Sequence, residues 1–309
     1  MTRHAMPQTM RVAVVGFGRL GRACAEVLAL DDHFVPAGFV RRQQTVAVPL
    51  PSRFSAWPAV THVSELGTVD AALVCVPLAQ VREVSRELLQ QGIPVVECAR
   101  FEGRELAEHK EEMGRMAALY ETPAIVGAGW EPGALSLFRG LFALLTPKGD
   151  TETTHRPAGT SLHHSTVARA VPGVKDALCT ELHVPGGKQQ RYLYVELDEG
   201  AGFERVEAAL RGDPLFLGEE TLVFQVDDVS ALEDEGQGIL LKRYGTAART
   251  AHQMLLFEAR VSELALSAQC MAAAARALPG LKARAYSLFD LPPGALWGRL
   301  RAEAERQWL

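Results

Sequence analysis

The chain has 309 residues, 48% of them hydrophobic and 22% charged, with a net charge of −5 at pH 7. This is the composition of a globular protein long enough for two domains. The charge is not the basic one that attracts nucleic acid. The first ten residues have no apolar core of the kind a signal peptide needs, and no apolar run approaches the roughly 18 residues of a membrane span. The five cysteines are dispersed and the nine histidines lack metal-ligand spacing, so we expect a cytoplasmic protein without disulfides or a bound metal.

The first predicted element is a buried strand over Arg11–Val15, followed by a glycine-rich turn and a helix that continues over Arg22–Leu30. The turn has the G-x-G-x-x-G spacing of a dinucleotide-binding loop, in which glycines permit a tight turn and a close approach of the backbone to a pyrophosphate. The helix N-terminus also presents free N–H groups to the phosphates. The residues predicted to contact a cofactor in this turn are Gly16, Phe17, Gly18, Arg19, Leu20 and Gly21. The alternative is a glycine-rich turn without a ligand.

Strands and helices alternate through the rest of the first half, apart from an irregular stretch over Thr45–Pro58. The predicted strands are Phe34–Val40, Val69–Pro77, Pro94–Cys98 and Pro123–Gly127. The predicted helices are Val81–Gln91, Glu102–Tyr120 and Gly133–Leu145. Repeated strand–helix units predict an α/β fold with a Rossmann-type, doubly wound parallel sheet. Ligands bind at the carboxyl ends of such strands. The candidate cofactor contacts there are Val76, Pro77, Leu78, Cys98 and Ala99.

The pattern changes near Thr146, where a smaller α+β domain with an open, mostly antiparallel sheet is predicted. Its predicted strands are Tyr192–Leu197, Thr221–Val226 and Ile239–Arg243, with a helix at Phe203–Arg211. A long helix is predicted over Ala251–Leu278 and a last helix over Pro293–Trp308. The predicted domains are residues 1–146, onto which 280–309 packs back, and residues 147–279.

The end of the second strand indicates which dinucleotide is bound. Dinucleotide sites for NAD commonly have an acidic residue there to accept from the ribose 2′-OH. This chain has Arg41 and Arg42 instead, and two guanidinium groups suit a 2′-phosphate. The sequence therefore favours NADP over NAD. The alternative is a pair of solvated surface arginines.

Four segments together resemble the meso-diaminopimelate dehydrogenase family. They are the glycine loop Arg11–Arg22, the strand end Phe39–Arg42, the Gly-Trp-Glu-Pro-Gly segment Gly129–Gly133, and the Ser161–Val174 segment. The resemblance covers nearly the whole chain. It implies a homodimer that uses NADP and carries out reversible oxidative deamination at a D-configured centre of an amino acid. It also implies that the second domain serves substrate binding and dimerisation.

The resemblance implies a set of site residues. Glu131 would bind the α-ammonium group and take its proton, with His163 or His164 as alternatives. The positions that match the family's substrate contacts are Trp130, Glu131, Gly133, Leu162, His163, Thr180 and Arg191. Two further positions, Arg100 and Arg260, stand where the family has an acid and an Asn, and they are candidate contacts for a substrate carboxylate. The alternative for Arg100 is a salt bridge to Glu97 or Glu131.

These two departures leave other functions open. One is a related NADPH-dependent dehydrogenase or imine reductase that acts on another D-amino or diamino acid. Another is a non-catalytic, NADP-binding regulatory protein that retained the nucleotide domain. Turnover of a D-amino acid with NADP⁺ separates the enzymes from the regulatory protein.

Overall fold

The computed structural model describes residues 9–101, 103–156, 167–183, 189–217, 220–229, 232, 237–298 and 300–308. The chain divides into two compact units. The first comprises the residues up to Leu141 and those from Glu263 onward, and the second is Phe142–Ser262. Residues 263–279, which we expected in the second domain, therefore belong to the first unit. Within the described ranges, no helix is long and apolar enough to cross a membrane.

The strands and helices are numbered in chain order. The strands are β1 (Met10–Val15), β2 (Phe34–Val40), β3 (Ala59–Val60), β4 (Ala71–Val74), β5 (Val95–Glu97), β6 (Ala124–Ile125), β7 (Lys148–Arg156), β8 (Val174–His183), β9 (Gln189–Leu197), β10 (Glu220–Gln225), β11 (Gln237–Ala247), β12 (Thr250–Val261) and β13 (Ala285–Tyr286). The helices are α1 (Arg19–Leu30), α2 (Gln43–Val46), α3 (Leu78–Gln90), α4 (Arg104–Leu119), α5 (Leu135–Leu145), α6 (Phe203–Gly212), α7 (Glu263–Ala277), α8 (Pro293–Leu296) and α9 (Leu300–Trp308).

The first unit contains a seven-stranded parallel sheet with the strand order β13-β6-β5-β4-β1-β2-β3. The order reverses between β1 and β4, because the chain builds outward from β1 in both directions. In open α/β sheets the ligand crevice lies at the carboxyl ends of the two strands that flank such a reversal. The predicted Rossmann-type fold is therefore confirmed, and its topology points to the loop after β1.

Both faces of this sheet are covered. Val14 belongs to a core that includes residues of α1 and α7, whereas its neighbour Val15 belongs to a second core with residues of α3 and α4. Because successive side chains of a strand point to opposite faces, β1 has to be apolar throughout, and Val12, Ala13 and Val14 are fully buried. Burial on both faces fixes the position of the glycine loop that follows.

The second unit is built from short sheets, as expected for its α+β class. Strands β7, β11 and β12 form an antiparallel three-stranded sheet, and β8, β9 and β10 form another in which only the β9–β10 pair is parallel. Helix α6 packs on the second of these through Val206 and Leu210, which share a core with Leu193.

The predicted long helix over Ala251–Leu278 is wrong in its first half. Residues Thr250–Val261 form β12, which pairs antiparallel with β11, and only Glu263–Ala277 is helical. The segment is rich in residues that favour helices, and pairing with β11 overrides that preference. The predicted last helix, Pro293–Trp308, is divided into α8 and α9, with Gly298 between them in the left-handed region at φ +55°.

Candidate functional site

The glycine loop at the carboxyl end of β1 is closed by tight backbone packing. Gly16 has φ +104°, and a Cβ atom there would lie 2.4 Å from the carbonyl oxygen of Cys75. A Cβ atom at Gly21 would lie 2.1 Å from the Gly16 carbonyl oxygen. At Gly18, by contrast, no atom of the described residues comes within 4 Å of the Cβ position. Gly16 and Gly21 are thus required for the turn, while Gly18 leaves space in front of the N-terminus of α1.

A pocket of about 450 Å³ opens beside this loop. The predicted cofactor residues that line it are Gly16, Phe17, Gly18, Arg41, Arg42, Val76 and Pro77. Polar lining residues that the sequence did not single out are Thr45, Thr61, His62, Gln80, Glu87 and Gln91. Thr61 and His62 directly follow β3, so the rule that ligands bind after parallel strands would have found them had that two-residue strand been recognised.

The two arginines at the end of β2 differ in their surroundings. Arg41 is 8% exposed, donates from Nη1 to the carbonyl oxygen of Val48 at 2.7 Å, and lies 5.0 Å from the ring centroid of Phe17. Arg42 is exposed and directly precedes helix α2 as its N-cap residue. Arg41 is therefore held in place from two sides, and Arg42 is presented at the pocket wall.

The pocket fits a dinucleotide with a 2′-phosphate. Among the described residues, Nε of Arg41 is buried and has no hydrogen-bond partner. Leaving a buried charged donor unsatisfied is costly, and a phosphate oxygen would satisfy it. The open Gly18 position and the free N–H groups at the start of α1 suit a pyrophosphate. The residues present thus match the chemistry of NADP at both of its charged ends.

The remaining predicted cofactor residues do not line this pocket. They are Arg19, Leu20, Gly21, Leu78, Cys98 and Ala99. Leu78 is 50% exposed at the start of α3, and Ala99 is buried with Val81 and Phe101. Burial, and next the nearby Glu97 carboxylate, raise the pKa of the Cys98 thiol far above its ordinary range. A raised pKa favours the protonated thiol and disfavours a role of Cys98 as a nucleophile. The cofactor role of these residues stays a prediction.

The Gly-Trp-Glu-Pro-Gly segment forms a wide, kinked turn over Trp130–Ala134 directly before α5, in which Glu131 itself is extended (φ −128°, ψ 132°). Trp130 is 6% exposed, and its backbone N–H donates to the Ser267 hydroxyl of α7 at 3.0 Å. Its indole Nε1 is buried and lacks an acceptor among the described residues. A Cβ atom at Gly133 would lie 2.6 Å from the carbonyl oxygen of Gly127. Gly133 therefore closes the turn against the chain behind it.

Glu131 is the centre of a cluster of four charges. Its Oε1 accepts from Arg139 at 2.8 Å, and its Oε2 accepts from Arg100 at 3.4 Å. Arg100 also lies 3.8 Å from the Glu263 carboxylate. Of the two partners predicted for Arg100, Glu131 is the one observed, whereas Glu97 is fully buried elsewhere. The Glu131 side chain is 13% exposed and those of Arg139 and Arg100 are 30% and 47% exposed, so Arg100 is the more solvated partner.

The site residues predicted in the second unit are described only in part. Arg191 lies in the central strand β9, is 4% exposed, and donates to the Leu215 carbonyl oxygen at 3.1 Å while lying 5.6 Å from the Phe216 ring centroid. Thr180 and Arg260 have their backbones in β8 and β12, and their side chains lie outside what the structure describes. The predicted residues Leu162 and His163 also lie outside the described residues.

Comparison with known proteins gives a consistent result. No family model matches the chain. A meso-diaminopimelate D-dehydrogenase from Bacteroides fragilis is 34% identical over 283 residues, which cover 92% of this chain and 93% of that protein. A meso-diaminopimelate D-dehydrogenase from Acetivibrio thermocellus is 23% identical and covers 98% of both chains.

Solved structures share the fold. The C. glutamicum DAP dehydrogenase in complex with DAP has a TM-score of 0.64 at 22% identity, covering 98% of this chain and 100% of that chain. An engineered D-amino acid dehydrogenase bound to NADP⁺ has a TM-score of 0.63 at 21% identity, covering 97% of this chain and 100% of that chain. The sequence identity to the Bacteroides fragilis protein over almost the full length of both chains places this chain in the meso-diaminopimelate D-dehydrogenase family.

Proposed function

We propose that the chain catalyses the reversible, NADP-dependent oxidative deamination of the D-centre of meso-2,6-diaminopimelate, which yields L-2-amino-6-oxopimelate and ammonia. The observation that carries this proposal is the 34% identity to the Bacteroides fragilis enzyme over 92% of the chain. The glycine loop and the arginine pair support it, because they provide the cofactor half of such an enzyme.

When bound, NADP⁺ supplies the acceptor for the hydride that leaves the α-carbon. The backbone at Gly16–Gly18 and the N-terminus of α1 would hold the pyrophosphate. Arg41 and Arg42 would hold the 2′-phosphate, with Nε of Arg41 as the buried donor that needs an acceptor. These contacts would hold the cofactor by its charged groups.

Glu131 is the residue to which we assign the substrate's α-ammonium group and its proton. Arg139 holds Oε1 at 2.8 Å, whereas Oε2 faces the longer and more solvated contact with Arg100. A substrate ammonium group would therefore displace Arg100 from Oε2 at a smaller loss of interaction energy than it would displace Arg139 from Oε1. Once the ammonium group has replaced Arg100, Arg139 keeps the Glu131 carboxylate oriented.

The other predicted substrate contacts rest on the resemblance. For Trp130, support comes from the buried indole N–H, for which a ligand could supply the missing acceptor. The positions taken from the resemblance alone are Gly133, Leu162, His163, Thr180, Arg191 and Arg260. Their roles stay predictions.

The test is stereochemical. Purified protein is mixed with NADP⁺ and either meso-diaminopimelate or the LL-isomer, which has no D-centre, and NADPH formation is followed by absorbance. Turnover of the meso isomer alone, accompanied by ammonia release, is the expected result. Equal turnover of both isomers, or none with either, contradicts the proposal.

A related enzyme with a different substrate is the second candidate. The observation that favours it is Arg100, which brings a positive charge next to the carboxylate that would receive the substrate ammonium. Turnover of another D-amino acid, with none of meso-diaminopimelate, would support this alternative. Binding of NADPH without turnover of any D-amino acid would support the regulatory protein.

We also propose that the protein is a homodimer that associates through the sheet β7–β11–β12. Tyr244, Met254 and Leu256 lie on one face of this sheet and are 49%, 46% and 42% exposed. Large apolar side chains grouped on a sheet face are typical of an interface, and a second copy of the chain would cover them. Sedimentation should show that M254E/L256E is monomeric, while the control L30E, at an exposed leucine of α1, stays dimeric. A dimeric M254E/L256E variant contradicts this interface.

The cytoplasmic location, which we expect from the cysteine pattern, stays a prediction. All five cysteines are free thiols in the structure.

A further inference from the structure

A fully buried carboxylate lies at the carboxyl end of β5. Glu97 is 0% exposed, and its side chain accepts three hydrogen bonds. The donors are the backbone N–H of Ala99, the backbone N–H of Gly127 at 3.0 Å and the His109 ring at 3.0 Å. A buried carboxylate is costly unless it is well hydrogen-bonded. These three donors are what stabilise Glu97 inside the sheet.

The histidine partner is equally buried. His109 lies on the inner face of α4, is 0% exposed, and contacts the Phe101 ring with a centroid distance of 4.5 Å. Because the Glu97 oxygen accepts, Nε2 of His109 is the donor of the pair. Its Nδ1 atom has no partner among the described residues. His109 thus makes a single side-chain hydrogen bond there, and that bond is directed at Glu97.

Glu97 ties together two segments that carry proposed site residues. One is the chain after β5, where Cys98 and Ala99 are predicted cofactor contacts and Arg100 pairs with Glu131. The other is the chain before the Glu131 turn, which Glu97 holds through the Gly127 N–H and, by its own carbonyl oxygen, through the Ala128 N–H at 2.8 Å.

The two segments also touch directly. A Cβ atom at Gly129 would lie 2.9 Å from the Cβ atom of Cys98. The distance between the proposed cofactor side and the proposed acid–base side is therefore set by a few buried contacts around one carboxylate.

We infer that Glu97 and His109 are positioning residues, which fix Glu131 and Arg100 relative to the predicted cofactor contacts at residues 98 and 99. This inference rests on the proposed function. Neither side chain lines the pocket at Arg41 and Arg42, so their role is separate from that of the residues that hold the 2′-phosphate. The pair acts by keeping two segments in one arrangement, because a misplacement of about 1 Å can cost roughly 100-fold in rate.

The test compares H109L with H109Q, whose amide nitrogen can replace Nε2 as the donor. M113A is the matched control, since Met113 is a buried residue of the same helix in a core that does not include Glu97. For H109L we expect kcat to fall about 10- to 100-fold with the KM for NADP⁺ nearly unchanged. H109Q should retain most of the activity. M113A should lower the melting temperature and leave kcat of the folded enzyme unchanged.

A second measurement does not need turnover. Hydrogen exchange should become faster in H109L at both residues 98–101 and residues 127–131, and unchanged at the glycine loop, whereas M113A should leave both segments as in the wild type. If the wild-type protein has no activity on meso-diaminopimelate, the proposed function is wrong. The hydrogen-exchange pattern would still show whether Glu97 and His109 hold the two segments in one arrangement. The inference is overturned if H109L loses stability alone, or if exchange at the two segments does not change together.

Discussion

Replacement of Arg42 by alanine tests the cofactor assignment at one residue. Arg42 is exposed, directly precedes α2 and lines the pocket next to Arg41. Its side chain makes no hydrogen bond or ion pair with the described residues, whereas Arg41 anchors the carbonyl oxygen of Val48 and packs on Phe17. R42A should therefore remove a ligand contact and leave the melting temperature unchanged. R41A should lower both cofactor affinity and stability.

The magnitude follows from the lost contact. A hydrogen bond between a guanidinium and a phosphate contributes about 1.5–3 kcal/mol, which corresponds to roughly 10- to 150-fold in binding. NAD⁺ lacks the 2′-phosphate, so it gains nothing from Arg42. We expect kcat/KM for NADP⁺ to fall by this factor in R42A, and kcat/KM for NAD⁺ to stay within about twofold of the wild type.

The assay is steady-state kinetics with both cofactors at saturating amino acid substrate, together with thermal unfolding. An equal loss with NADP⁺ and NAD⁺ would refute the reasoning, since it would mean that Arg42 contacts a part common to both cofactors. No change with either cofactor would mean that Arg42 is a solvated surface arginine, which is the alternative that the sequence left open.

Three further predictions concern the glycine loop, the proposed acid–base residue and the thiols. G21A should lower the free energy of unfolding by about 1–3 kcal/mol, because its Cβ atom would lie 2.1 Å from a backbone oxygen of the loop. G18A should unfold like the wild type but bind NADPH more weakly in a fluorescence titration. Equal unfolding curves for the wild type, G21A and G18A would contradict this. E131Q should reduce kcat/KM by at least 100-fold without changing NADPH affinity, and near-normal turnover would remove Glu131 from the mechanism. Burial raises the pKa of Cys270 to about 11 and that of Cys98 further. Both thiols should therefore resist iodoacetamide at pH 8 until the protein is unfolded. Labelling is measured by mass spectrometry, and rapid modification of either cysteine in the folded chain would contradict this.

The parts of the fold that the sequence predicted are those with a strong local signal. The glycine loop after β1 is one, because three glycines, a buried strand and a helix occur within about twenty residues. The position of the arginine pair beside the pocket is another, since the two residues directly follow a strand with a clear apolar pattern. Both features are determined by residues that are close together in the sequence.

The features that the sequence did not predict depend on partners distant in the chain. The segment Thr250–Val261 has the composition of a helix and becomes a strand because it pairs with β11. Thr61 and His62 reach the pocket because β3 pairs with β2. The contact between Glu97 and His109 joins a strand to a helix, and no periodicity in the sequence reveals it.

The position of Arg100 was predicted only as one of several possibilities. Its ion pair with Glu131 forms because the chain after β5 and the turn after β6 lie side by side at the carboxyl end of the sheet. Strand order is a property of the whole sheet, so a pairing of this kind becomes visible only when the sheet is known.

The most direct test of the central claim is the rate of NADPH formation from NADP⁺ and meso-diaminopimelate, measured beside LL-diaminopimelate and a panel of other D-amino acids. The account predicts turnover of the meso isomer, release of ammonia, and no reaction with the LL-isomer. Turnover confined to a different D-amino acid, or NADPH binding without turnover of any of them, would contradict it.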